Sequence, residues 1–204
     1  LLPILIFCLS TGFAQDKLNT DSNGIWFRNT NNFPNRFLYS QAILWPSSIS
    51  GHIGLYILKD DFDWTRAVRW SMYKRTFRQL PMFEIKQDHW SWNYEVHPYM
   101  GSISYLTYRN RNASVWESLA GSALNSLIYE YLIAGGTQPA SLNDMIATPL
   151  GGSLLGEGLY QIKKFLLRDK YLTTFEKILV TICDPVEVFY FGFNFEKLAQ
   201  HSYR

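Results

Sequence analysis

Cysteine is nearly absent, with two in 204 residues, Cys8 and Cys183. That excludes a Cys-x-x-Cys redox pair and a zinc site built from thiolates. Neither sign of charge dominates, since 19 Lys and Arg face 17 Asp and Glu for a net +2. Binding to nucleic acid through overall charge is excluded, and any basic patch has to be local. No apolar stretch reaches the ~20 residues of an ordinary membrane-spanning helix. HExxH, GxSxG and GxxxxGK are missing, as are repeats and low-complexity tracts. His52, His89 and His201 show no ligand spacing.

What remains is plentiful apolar material: 47% hydrophobic and 17% aromatic residues, enough for a packed core and too much for a disordered chain. The opening "LLPILIFCLSTGFAQD" is an apolar run followed by small residues. Gly12 and Ala14 stand at the −3 and −1 positions of a signal-peptidase site. A signal peptide over residues 1–14 is expected in preference to the alternative reading of the same run as a buried N-terminal strand or helix. Without an initiator Met or basic n-region, the run is expected to continue upstream. Cleavage after Ala14 would leave Cys183 alone, so no internal disulfide is expected.

Residues 15–61 are polar and turn-rich, read as a loosely structured leader. "FDWTRAVRWSMYKRTFR", 62–78, has the spacing of a helix, with Asp63 as a possible cap. Its cations Arg66, Arg69, Lys74, Arg75 and Arg78 alternate with rings. They fit an anionic membrane surface or an outer-membrane lipid, or simply a solvated helix face, the plainer reading being favoured. "HPYMGSISYLTYRN" predicts a helix opened by Pro98 with His97 extended before it. A helix over Ser114 to Ala134 is predicted to stop at Gly135-Gly136. Ser141 and Asp144 have capping-box spacing, and Thr148-Pro149 can start another helix reaching about Leu167. Phe175 to Ile182 predicts a last helix ended by Asp184-Pro185. "VEVFYFGFNFEKL" alternates, as a strand would.

The expected fold is mainly α: a compact bundle of four or five helices over 62–182. The polar leader precedes it. An aromatic extended tail, 183–204, follows it as the start of a further region.

Within that bundle some polar residues stand in apolar surroundings. Ser118, Ser122, Ser126 and Glu130 recur every four residues, with Asn125 beside them. Gly152, Ser153, Gly156 and Gly158 form a second small-residue surface next to Glu157. If these two helices meet, Glu130 and Glu157 share a layer. One carboxyl is then neutral, or a cation such as His97, Arg109 or a metal sits between them. Two readings stand: a structural ion-pair network, or a functional site. His97 is either a ring bonded to a backbone carbonyl, or a general base or metal ligand. Asp144 reads more simply as a helix cap. No cofactor can be named.

From about Asp88 to Pro185 the chain resembles an uncharacterised family of Gram-negative bacterial envelope proteins, catalogued as domain of unknown function 3943. The likeness rests on "NYEVHPYMGSISYLTYR", "SLIYEY" and "SLNDMIATPLGGSLLGE", in that order. Matching positions include His97, Pro98, Gly101, Arg109, Glu130, Asp144, Gly152, Gly156 and Glu157. The resemblance implies an exported periplasmic or outer-membrane-associated protein, with a β-rich region after the helices in longer members. It carries no known reaction. The functional expectation is a structural or binding module of the envelope. The alternative is a membrane-associated, hydrolase-like enzyme acting on a lipid or cell-wall component, with His97, Glu130 and Glu157 as its catalytic set.

Overall fold

The computed structural model describes residues 32–57, 69–81, 95–169 and 171–202. The predicted signal peptide, Asp63 and Arg66 lie outside the described residues. Among those described there are eight α-helices and no strand, so the mainly α bundle holds. The helices are α1 Phe33–Ile57, α2 Trp70–Arg78, α3 His97–Arg109, α4 Val115–Ile128, α5 Leu142–Leu166, α6 Thr174–Cys183, α7 Pro185–Tyr190 and α8 Phe195–Ser202. No described helix is long and apolar enough to cross a membrane.

The polar leader is corrected in part, because α1 occupies its second half. Asn32 explains why: its Oδ1 accepts the Asn35 backbone N–H at 3.0 Å, so an Asn that looked like a loop residue acts as a cap. Pro34 sits in the first turn, where its missing N–H costs nothing. Tyr39 and Ile43, four residues apart, turn inward onto Val186, with Ile103 and Tyr190 alongside.

The extended tail is also corrected. Asp184 caps α7 through Oδ1, which accepts the Glu187 N–H at 3.1 Å, and Pro185 opens the helix. Gly192 and Phe193 adopt φ of 58° and 60°, which ends it. Asn194 Oδ1 then accepts the Lys197 N–H at 3.0 Å to begin α8. Val188 and Leu198 reach a core with Leu167 and Val180. These caps override the alternating aromatic pattern.

At the centre α3 and α5 make the largest contact of the bundle. A Cβ on Gly101 would lie 2.0 Å from the Thr148 carbonyl oxygen, and one on Gly152 would lie 2.4 Å from the Gly101 carbonyl carbon. The backbones therefore touch where only hydrogen fits. α5 is one helix with Pro149 inside it, instead of a cap at Ser141 followed by a new helix at Thr148. His97 is the first residue of α3, not extended, since Val96 before it is already helical. α4 runs as predicted from Ser114, then widens into a π-turn over Tyr129–Ile133 and a 3₁₀ turn over Ala134–Gly136.

Candidate functional site

The π-turn places Glu130 inside the protein, where its Oε2 accepts the Ser141 backbone N–H at 3.0 Å. Ser141 Oγ in turn accepts the Asp144 N–H at 3.3 Å, making Ser141 the N-cap of α5. In a self-contained capping box the third residue of the helix would reach back to the cap N–H. Here Glu130 takes that amide, and Asp144 faces His97 instead, with Nε2 3.5 Å from Oδ1. The other imidazole nitrogen, Nδ1, lies 3.4 Å from Thr148 Oγ1, one turn further along α5. A hydroxyl, an imidazole and a carboxylate are thus in sequence, at separations longer than firm hydrogen bonds. The His97 side chain is 21% exposed, while Asp144 is buried.

The predicted pairing of Glu130 with Glu157 does not occur. Glu157 lies sixteen residues beyond Ser141 on the same helix, about 24 Å at 1.5 Å per residue. Its carboxylate is held by Arg109 at 2.8 and 3.2 Å, by the Tyr105 hydroxyl at 2.6 Å and by Gln161 Nε2 at 2.7 Å. Partial burial works to raise its pKa, but these donors outweigh it and hold Glu157 below the usual carboxylate value. Burial, then the bond to Glu157, pushes the Tyr105 phenol well up. Arg109 also lies over the Tyr160 ring at 4.5 Å. His97, Glu130 and Glu157 therefore form no common catalytic set.

The helix facing Gly152 and Gly156 is α3, through Gly101, Ser102 and Tyr105, and not the serine stripe of α4. The stripe is nonetheless buried. Ser122 Oγ donates to the Gly101 carbonyl and Ser126 Oγ to the Asp144 carbonyl, both at 3.3 Å. Asn125 donates to Ser40 and Ser104 hydroxyls, both at 2.8 Å, joining α1, α3 and α4.

Of the basic helix, Arg69, Lys74, Arg75 and Arg78 are described, and all four are exposed. Thr76 is the buried residue of α2, and its hydroxyl donates to the carbonyls of Gly135 at 3.0 Å and Gln138 at 3.3 Å.

Sequence reasoning missed the densest charge cluster. Lys163 and Asp184, each with a 1% exposed side chain, pair at 2.7 Å, and Lys163 also donates to Asn110 Oδ1 at 2.6 Å. Beside them Arg111 donates to Glu187 at 2.7 Å and lies over the rings of Tyr39 and Tyr190. Burial works against the Arg111 charge, but Glu187, with Tyr39 and Tyr190 adding, overcomes it and raises the guanidinium pKa. His201 Nε2 lies 3.0 Å from Arg111; burial first, with Arg111 adding, pulls the ring's pKa below its ordinary value against the pull of Glu187. Arg36 clamps the same loop by donating to the Arg111 carbonyl at 2.8 Å and pairing with Glu117. One signal was available. Lys163 follows Gly152 by eleven residues and Gly156 by seven, close to three and two turns, so it shares their inward face.

Among the described residues no group of three or more His, Cys, Asp or Glu gathers as a metal site would require. No curated protein and no solved structure matches the chain. The family described as Domain of unknown function (DUF3943) matches residues 82–186, which is 105 of the 204. The sequence resemblance and the match name the same family, and the chain belongs to it.

Proposed function

We propose that this chain is a structural and binding module of the Gram-negative cell envelope, a helical bundle whose internal charges fix the register of its helices. One observation supports this most: Glu130, Glu157, Asp184 and Glu187 each accept donors from the bundle itself. Groups paired in this way serve architecture, since removing one partner strands the other.

A second reading rests on His97. With Thr148 on one ring nitrogen and Asp144 on the other, a hydroxyl, a base and an orienting acid are near one another. That set would suit a hydrolase acting on a lipid or cell-wall component. Glu130 and Glu157 would have no part in it.

Complementation of a deletion strain in the native host separates the two. The scaffold reading expects His97→Asn and Thr148→Val, expressed at normal level, to restore the envelope as fully as the parent. Loss of function by either variant at normal level and melting temperature would replace it with the hydrolase. Fractionation of the same cells tests location, and recovery of the protein in the cytosol would overturn the envelope assignment.

A further inference from the structure

Among the described residues α2 is fastened to the π-turn and 3₁₀ turn by hydrogen bonds and by the Phe77 ring against Tyr131, centroids 5.5 Å apart. Besides the Thr76 hydroxyl, the Arg69 N–H donates to the Gly136 carbonyl at 2.8 Å and the Tyr73 hydroxyl to the Leu132 carbonyl at 2.8 Å. A Cβ on Gly135 would lie 3.2 Å from the Thr76 methyl, so the absence of a side chain there lets α2 sit close. At 3.6 residues per turn, Tyr73, Phe77, Trp70, Lys74 and Arg78 fall within roughly 140° of arc, turned away from Thr76. Together with Leu132 of the π-turn they line a groove of about 460 Å³. Trp70 is 72% exposed, Phe77 60%, and Leu80, just past the helix, 87%. No acid lies on α2, and among the described residues no carboxylate pairs with Lys74 or Arg78.

What sets this face apart is that open rings and cations with no described carboxylate partner line one contiguous groove, so the patch is apolar and basic together. A protein partner would need an acidic surface that is also apolar. An anionic bilayer supplies both at once: phosphates for the cations and the headgroup boundary for Trp and Phe. We infer that α2 and Leu132 form a docking edge for an anionic lipid bilayer, with Lys74 and Arg78 at the phosphates and Trp70, Phe77 and Leu80 below them. This deepens the envelope reading and rests on it for the choice of membrane. Vesicle binding by purified protein can nevertheless fail while fractionation succeeds, or the reverse.

The test is co-flotation of the full chain with vesicles of phosphatidylglycerol and phosphatidylcholine, against phosphatidylcholine alone. Binding is expected only with the anionic lipid. Lys74→Gln with Arg78→Gln should weaken it at least about tenfold. Trp70→Ala with Phe77→Ala should remove the binding that survives in high salt. Arg168→Gln with Lys177→Gln, exposed cations elsewhere, should leave binding unchanged, and all variants should melt like the parent. Equal weakening by this control pair would overturn the site, leaving only general charge. Equal binding to neutral vesicles would overturn the role of the cations. Competition by inorganic phosphate beyond its ionic-strength effect would point to a phosphate site instead. Self-association lost in Trp70→Ala with Phe77→Ala, without vesicle binding, would assign the face to a second copy.

Discussion

Glu130 uses a buried carboxylate to hold one backbone amide. The Ser141 N–H opens α5, and a buried donor left without an acceptor costs about 1–3 kcal/mol. Glu130→Ala adds a cavity to that loss and should destabilise the fold by at least about 2 kcal/mol in urea denaturation. Glu130→Gln keeps an oxygen for Ser141 and should lose less than Glu130→Ala; equal losses would show that the charge, and not the acceptor, matters. That this Glu is inside was legible from the apolar run around it. Its partner was not, because Ser141 lies eleven residues on, past the π-turn, and Ser141 with Asp144 reads locally as a complete cap. Once a distant side chain takes the cap amide, Asp144 turns to His97, an outcome no local pattern encodes.

Helix pairing depends on where hydrogen alone fits. Gly101 and Gly152 meet backbone to backbone, so Gly101→Ala must push α3 and α5 apart. The cost expected from thermal unfolding is about 3 kcal/mol or more, at the upper end of overpacking. Gly158, in the same run of small residues, has nothing within 4 Å of the point where a Cβ would stand. Gly158→Ala should therefore stabilise the protein, by about 0.5–1 kcal/mol of helix propensity. Opposite signs from the same substitution would show that contact, not composition, sets the role of each glycine. Spacing made the small-residue face of α5 legible. It could not say which helix lies against it, and α4 was expected where α3 is found. α1 and α7 were missed for another reason: Asn32 and Asp184 look like loop residues until a helix forms behind them.

At the scale of the molecule, the loop between α3 and α4 gathers the chain. Arg36 of α1 grips it, Asn110 reaches Lys163 of α5 and Asp184 before α7, and Arg111 reaches Glu187 of α7 and His201 of α8. These residues lie far apart in sequence, so beyond the inward spacing of Lys163 pattern reading could not assemble the cluster. Its energetics follow from burial. Lys163→Met leaves Asp184 in the interior without its cation, and should cost about 3–5 kcal/mol. Asp184→Asn keeps an oxygen to cap α7 but deprives Lys163 of its counter-charge, a loss of the same kind. The double variant strands neither charge. In urea titrations it should fall short of the summed single losses by more than about 1 kcal/mol. Strict additivity would mean that Lys163 and Asp184 act independently, the first through Asn110 and the second as a cap.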